Sequence, residues 1–104
     1  MAHGATIDPR LREIVTHLEP APSVNGSLAR LLTKELEREF AVHEQQDAHF
    51  RAQYNMPFER FARSRLMKKP PATVEQDYFD WELAISRLRE LRAELARVKP
   101  LLPA

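Results

Sequence analysis

The sequence predicts an all-α protein in which two long helices fold back as an antiparallel hairpin and two short helices accompany them. Apolar residues recur at steps of three, four or seven over residues 28–54 and 73–98, which is the spacing of one helical face. No segment shows the alternation of a β-strand, and no internal repeat of about 20–50 residues is found. Because only two helices are long, we expect oligomerisation or partner binding to complete a bundle.

The length of 104 residues suits a single helical domain over residues 1–104. A hydrophobic content of 43% with 30% charged residues is typical of an ordinary globular chain, and a net charge of +1 creates no overall field. No signal-peptide run and no apolar stretch of about 18 residues is present, so we expect a cytoplasmic protein that does not engage a membrane. The expected elements are an N-terminal arm with a short helix (1–27), a long helix (28–54), a short helix (57–67) and a long helix (73–98).

The first helix is predicted to begin at Asp8 and Pro9. The Asp side chain can accept hydrogen bonds from early backbone amides, and proline needs no amide donor at the first helical position. Prolines together with Asn25 and Gly26 in the segment 19–27 then end this helix after about three turns. Its apolar face is expected to cover one end of the hairpin and consists of Leu11, Ile14, Val15 and Leu18.

The second helix is predicted to start with Ser27 as its cap, and neither Gly nor Pro interrupts the chain from there to Tyr54. His43 and Asp47 interrupt the hydrophobic stripe in the middle of this helix. Polar residues at such positions are candidates for a functional role. The apolar members of the stripe are Leu28, Leu32, Leu36, Phe40, Phe50 and Tyr54.

The short third helix is predicted to follow Asn55, a residue that tolerates the left-handed conformation at helix ends. Met56 and Pro57 begin this helix at once. Pro70 and Pro71 stop it, because consecutive prolines supply no amide donors and push the preceding residue to extended geometry.

The last helix is predicted to open with a capping box formed by Thr73 and Gln76. It carries Trp81, the only tryptophan of the chain. We interpret Trp81 as a core residue in preference to an interface hot spot, and expect much of the surrounding stripe to stay exposed in a monomer. The stripe consists of Val74, Tyr78, Trp81, Ile85, Leu88, Leu95 and Val98.

Groups that could support catalysis or hold a metal are scarce. The chain has no cysteine, and its two glycines form no phosphate-binding loop. His43, Glu44 and Asp47 resemble the start of a zincin helix, but Asp47 stands where the second histidine belongs. We therefore favour a partly buried polar pair, His43 and Asp47, that fixes helix register, over a metal-dependent hydrolase. The sequence predicts no catalytic, cofactor-binding or metal-binding residues, and no enzyme.

Charged residues are distributed unevenly along the chain. The middle of the second helix and the start of the last helix are acidic, whereas the segment 60–69 is basic without one acid. We interpret these charged segments as solvated helix faces that form local ion pairs. The alternative is a nucleic-acid-binding adaptor, although the segment lacks the exposed aromatic residues of a single-strand binder. Its basic residues are Arg60, Arg63, Arg65, Lys68 and Lys69.

Two short motifs carry a family resemblance: Tyr54-Asn55-Met56-Pro57-Phe58-Glu59-Arg60-Phe61, and Asp77-Tyr78-Phe79-Asp80-Trp81-Glu82. They resemble the boxes of small helical antitoxin-like proteins of bacteria and archaea. In that family the first box reads Tyr-Gly-Met-Ser/Thr-Phe-Glu-Glu-Phe, and an acidic-aromatic-Trp-Glu box opens the final helix. Asn55 and Pro57 depart from the pattern, but Asn55 suits a left-handed cap and Pro57 suits a helix start. Such proteins are typically encoded beside a toxin-like protein and are thought to bind it.

The resemblance implies a non-enzymatic, antitoxin-like subunit that neutralises a toxin-like protein, such as a nuclease. Helix-in-groove recognition would supply the mechanism, with the acidic faces selecting a basic partner. The alternatives are a structural helical subunit that self-assembles through the same stripe, and the nucleic-acid-binding adaptor. A homo-oligomer and a hetero-complex both fit these interpretations. The residues expected to bind the partner are Tyr54, Phe58, Phe61, Tyr78, Phe79, Asp80, Trp81 and Glu82.

Overall fold

The computed structural model describes residues 6–104, apart from the side chain of Leu66. Its elements in chain order are α1 (Pro9–Leu18), α2 (Val24–Tyr54), α3 (Phe58–Leu66), α4 (Ala72–Val98) and a short 3-10 turn (Lys99–Leu101). Across these described residues every regular element is helical. The prediction of an all-α fold is therefore confirmed.

The two long helices α2 and α4 pack against each other in an antiparallel hairpin, as expected from their stripes. Asp77 at the start of α4 accepts a hydrogen bond from Tyr54 at the end of α2. Further along, Arg87 donates to Glu39 at 3.0 Å. Because residue numbers fall along α2 as they rise along α4, the contacts define an antiparallel register.

Two of the predicted helix ends are confirmed. The Asp8 side chain accepts from the backbone amide of Arg10 at 2.8 Å, with Pro9 as the first residue of α1. At the end of α2, Asn55 adopts the left-handed conformation with φ 54° and ψ 41°. No other non-glycine residue in the described part of the chain has a positive φ.

The predicted cap of α2 is wrong, because Ser23 and not Ser27 precedes the helix. The Ser23 hydroxyl accepts from the Gly26 amide at 3.0 Å, so Asn25 and Gly26 lie within the first turn. A side chain at Gly26 would start only 3.1 Å from Cγ of Pro103. Glycine therefore serves a close approach of the C-terminal segment here, and not a turn.

The predicted capping box of α4 is also wrong. The helix begins at Ala72, one residue earlier, and its flanking residue Pro71 makes no side-chain cap. The carbonyl of extended Pro71 instead accepts from the amides of Val74 and Glu75 at 3.0 and 3.1 Å. Helix α3 also begins without a side-chain cap, at Phe58 directly after extended Pro57.

The core is a narrow line between α2 and α4, to which α1 contributes Val15 and α3 contributes Phe61. Because the described hairpin is only two helices thick, the molecule measures 57 × 31 × 22 Å. Its radius of gyration is 19.5 Å, compared with about 13 Å for a compact chain of this length. The buried apolar residues are Val15, Ala29, Phe61, Trp81, Ala84, Leu88, Leu91 and Val98.

Helix α1 packs on the first part of α2, but with little of its apolar face. Only Val15 is buried, whereas Leu11, Ile14 and Leu18 are each more than half exposed. The expectation that all four residues cover the hairpin is thus wrong for three of them. Among the described residues, no helix has the length and apolarity needed to cross a bilayer.

Candidate protein-interaction surfaces

Trp81 lies at the centre of a cluster of aromatic rings where α2, α3 and α4 meet. Its side chain is completely buried. Phe50 stacks on it from α2 at 5.5 Å between ring centroids, while Phe58 and Phe61 approach from α3 at 5.4 and 5.1 Å. Tyr54 completes the cluster, 4.3 Å from Phe61. We call these five rings, together with Tyr78, which stacks on Phe58 at 5.7 Å, the aromatic corner.

The apolar stripe of α2 is interrupted at Asp47, which accepts a hydrogen bond from the opposite helix. Its Oδ1 accepts a hydrogen bond from Nε1 of Trp81 at 2.8 Å, and its side chain is only 14% exposed. Arg51, one turn along α2, lies 3.4 Å from the other carboxylate oxygen. A buried indole N–H requires an acceptor, and Asp47 supplies it across the helix pair.

A second hydrogen bond between the long helices closes the corner. The Tyr54 hydroxyl donates to Oδ2 of Asp77, which also accepts from Gln53 at 3.1 Å. Partial burial and the hydrogen bond to the Asp77 carboxylate together raise the pKa of Tyr54 to about 12. The end of α2 is thereby tied to the first turns of α4.

One residue of the basic segment has a structural role. The Arg65 guanidinium lies 3.7 Å above the Tyr78 ring, and its Nε is 3.0 Å from a carboxylate oxygen of Glu75. This combination of a cation–π contact and an ion pair fastens α3 to the start of α4. The other four basic residues of 60–69, which are Arg60, Arg63, Lys68 and Lys69, are exposed.

The structure gathers the eight residues expected to bind a partner at this one end of the hairpin, but it divides them by exposure. Trp81 and Phe61 are buried and present no surface to a partner in this conformation. Tyr54, Phe58 and Tyr78 are half-buried. The accessible members are therefore Phe79, which is 53% exposed, and the two carboxylates Asp80 and Glu82.

Those two carboxylates are engaged on their own helix. Asp80 accepts from Gln76 at 2.9 Å, and Glu82 accepts from the Tyr78 hydroxyl at 2.8 Å. This second bond raises the pKa of Tyr78. The acidic start of α4 thus presents a partly preordered surface on which Phe79 is the large apolar group.

Sequence reasoning missed a groove between α2 and α4 on one side of the hairpin. It measures about 520 Å³ near the aromatic corner, where Val42 and His43 of α2 face Asp80 and Leu83 of α4. A smaller recess of about 300 Å³ near the other end is lined mainly by Leu32, Leu36, Val98 and Leu101. We call the two recesses together the hairpin groove. Leu83 is 66% exposed, which points to the groove, but this exposure is set by tertiary packing and cannot be read from the sequence.

A third apolar surface lies at the α1 end. Leu11, Ile14 and Leu18 of α1, with Leu28 and Leu31 of α2, line a shallow depression of about 510 Å³. The residues between α1 and α2 are held by Arg30, which donates to the carbonyl of Pro20 at 2.7 Å, and by an ion pair between Lys34 and Glu19. The arm therefore folds onto α2, with its apolar stripe directed outward.

The residues of the zincin-like pattern, His43 and Asp47, form hydrogen bonds with other side chains. His43 shares a 2.8 Å hydrogen bond with Gln46, while Asp47 bonds to Trp81. Within residues 6–104, no group of three or more His, Asp or Glu side chains is placed to hold a metal ion. The suggested polar pair of His43 and Asp47 is replaced by the pair of Asp47 and Trp81.

Comparisons of this chain with protein-family models, with curated proteins and with solved structures found no match.

Proposed function

We propose that this chain is a non-enzymatic protein-interaction module, and more specifically an antitoxin-like subunit that binds and neutralises a toxin-like protein. The observation that carries the proposal is the exposed ring of Phe79 on the buried aromatic corner. Large aromatic side chains dominate binding energy at protein interfaces, particularly where the surrounding structure holds them in place. The antitoxin-like role itself rests on the resemblance of the two motifs.

The packing around Phe79 supports a preorganised docking site. The neighbouring Tyr78 ring lies 5.3 Å from the Phe79 ring, and the guanidinium of Arg65 lies 5.9 Å from it. Because Tyr78 is itself held by Arg65 and Glu82, the Phe79 ring rests against an ordered neighbour. An exposed aromatic group on the outer face of α4 is suited to an apolar pocket on a partner.

The surrounding charges support a partner with basic groups near that pocket. Glu82 is exposed one turn from Phe79, and Asp80 is exposed beside it. Complementary charges at the rim of an interface steer association and reject unsuitable partners. In the proposed complex, Phe79 enters the partner and the two carboxylates select basic residues around the pocket.

The test is co-expression of the chain with the protein encoded beside it. We expect the two proteins to co-purify, and the chain to relieve growth inhibition by its neighbour. Phe79→Ala should weaken both effects at least tenfold, since a hot-spot aromatic contributes about 2 kcal/mol or more. Leu11→Ala is the matched control, because Leu11 is similarly exposed at 61% but lies on α1. If the neighbour neither co-purifies nor is neutralised, the proposed function is wrong.

A self-assembling structural subunit is the second candidate, and the open hairpin groove favours it. Asp80 lines the groove and also belongs to the Phe79 surface, whereas the Phe79 ring does not line the groove. The mass of the purified chain and the co-purification test distinguish the two candidates.

A further inference from the structure

The hairpin groove runs along one side of the helix pair. On α2, Leu32, Leu36, Glu39 and His43 follow one another at steps of four, three and four, and so lie on one face. On α4 the opposing wall includes Leu83, Arg87 and Glu94. The two recesses are thus the ends of a single surface.

The molecule exposes more surface than a compact monomer of its size. Its accessible area is 7839 Å², whereas a folded monomer of 12.1 kDa exposes about 6,000 Å². The excess of roughly 1,800 Å² exceeds the ~800 Å² that each partner contributes to an interface of standard size. The excess is therefore large enough for one face of the molecule to be covered by a partner.

The hairpin groove has the dimensions of such a face. α4 contains 27 residues and is therefore about 40 Å long. Two adjacent helices present a width of about 20 Å, so that one side of the pair offers on the order of 800 Å². Helix α1, with only 10 residues, is about 15 Å long and offers much less area.

Exposed apolar side chains flank the middle of the groove. Val42 and Leu83 lie at one end, beside the polar residues His43 and Asp80, and Leu32 and Leu101 lie at the other. Between them stands the ion pair of Glu39 and Arg87, with both side chains about one-third exposed.

We propose that a second copy of this chain covers the hairpin groove, with α2 of each copy packed antiparallel on α4 of the other. A two-fold axis that runs along the groove, parallel to the helices, places Val42 of each copy on Leu83 of the other and Leu32 on Leu101. The same axis brings Glu39 of one copy next to Arg87 of the second copy, and the reverse. The product is a four-helix bundle made from two α2–α4 hairpins.

Charge complementarity favours an identical copy. The half-exposed side chains of Glu39 and Arg87 carry opposite charges and lie side by side, and Glu90 is 3.5 Å from Arg87 on the same helix. Because α2 of each copy faces α4 of the other, Glu39 meets Arg87 of the second copy, and the reverse.

The first test is the mass of the purified chain by light scattering at micromolar concentration. We expect twice 12.1 kDa. Leu83→Glu should raise the dissociation constant at least about a hundredfold, because each interface then buries two unpaired carboxylates. Val42→Glu on the opposing helix should act in the same way. Both residues are exposed in the monomer, so the circular dichroism spectrum should retain its helical signal.

Leu11→Glu is the matched control and should leave the dimer intact, since it places the same charge on α1. A monomeric mass for the unmodified chain would overturn the proposal. A dimer that survives Leu83→Glu and Val42→Glu but is lost with Leu11→Glu would also overturn it, by moving the interface to α1.

A mixing experiment tests whether Glu39 of one copy meets Arg87 of the other. Glu39→Arg and Arg87→Glu should each yield monomers, because each places like charges around the axis. An equal mixture of the two variants should recover a dimer containing one copy of each, since every pair across the interface is then of opposite charge. Two variants that stay monomeric when mixed, or that dimerise separately, would show that these residues do not meet across a two-fold axis.

The dimer does not depend on the proposed partner binding. Phe79→Ala should leave the mass at twice that of the monomer, so failure of either proposal can be recognised without the other.

Discussion

Asp47 of α2 and Trp81 of α4 are joined by a 2.8 Å hydrogen bond from the indole nitrogen to a carboxylate oxygen. The bond links the polar residue that interrupts one apolar stripe with the largest buried residue of the other. A shift of either helix by one turn would separate the two groups and leave a buried donor without a partner. We infer that this pair selects the register of the hairpin.

Replacing Asp47 by Ala should lower the free energy of unfolding by about 1–3 kcal/mol, because the indole N–H then remains buried without an acceptor. Asp47→Asn keeps a carbonyl oxygen in place and should cost less. Urea unfolding followed by circular dichroism measures both effects. Asp80→Ala is the control, since Asp80 is exposed and bonded only to Gln76, and it should change stability by less than ~0.5 kcal/mol. Equal effects of the Asp47→Ala and Asp80→Ala substitutions would contradict the assigned role.

Replacing Trp81 by Ala should cost about 3–5 kcal/mol, since a completely buried aromatic side chain leaves a cavity among four other rings. That loss is a large part of the ~5–15 kcal/mol by which domains are usually stable. Trp81→Phe should be milder, because it keeps a ring but leaves Asp47 without its donor. Thermal unfolding by circular dichroism checks the order of the three proteins. An unchanged melting temperature together with lost partner binding would show that Trp81 acts at an interface.

Replacing Ser27 by Ala should stabilise the protein by about 1 kcal/mol. The Ser27 hydroxyl is buried without a hydrogen-bond partner, and alanine both removes this unpaired group and is the better helix former. Ser86→Ala within α4 is the matched control, because Ser86 is half-exposed and reports helix propensity alone. If the two substitutions raise the melting temperature equally, the buried hydroxyl carries no measurable penalty.

The raised pKa of Tyr54 predicts a loss of stability at alkaline pH. The unfolded chain releases this proton near the ordinary pKa of 10.0, whereas the folded chain keeps it to about 12. The contribution is therefore complete below pH ~10 and is lost as pH rises through ~12. Unfolding in urea at several alkaline pH values should show a steeper decline for the unmodified protein than for Tyr54→Phe.

Tyr78→Phe is the comparison for this titration. The bond to Glu82 also raises the pKa of Tyr78, but less than the pKa of Tyr54 is raised, so Tyr78→Phe should flatten the alkaline decline less than Tyr54→Phe does. At neutral pH, Tyr54→Phe should also cost about 1–2 kcal/mol through loss of the bond to Asp77. A parallel pH dependence for the unmodified protein and Tyr54→Phe would contradict the assignment.

Some helix ends could be predicted from the neighbouring residues alone, and others could not. Asp8 and Asn55 behave as predicted, because a capping carboxylate and a left-handed asparagine act within their own few residues. Gly26 has the composition of a turn but lies inside α2, since Pro103 approaches it from the far end of the chain. A contact between residues so distant in sequence has no local signature.

Helix α1 illustrates the same limit for burial. Its stripe correctly predicts an amphipathic helix, yet Val15 alone turns toward the hairpin while Leu11, Ile14 and Leu18 remain exposed. Hydrophobic spacing identifies an apolar face but not the element that covers it. The same holds for Leu83, whose exposure depends on how far α2 rotates about its own axis against α4.

The sequence alone determined the all-helical class, the two long helices and the four-helix order, because apolar periodicity and proline positions act over a few residues. Only the tertiary structure decided that Asp47 serves Trp81, that Arg65 holds Tyr78, and that the hairpin groove stays open. Each of these depends on the rotation and register of one helix against another. Those two quantities are chosen by the total packing of both faces, and no single stretch of sequence contains them.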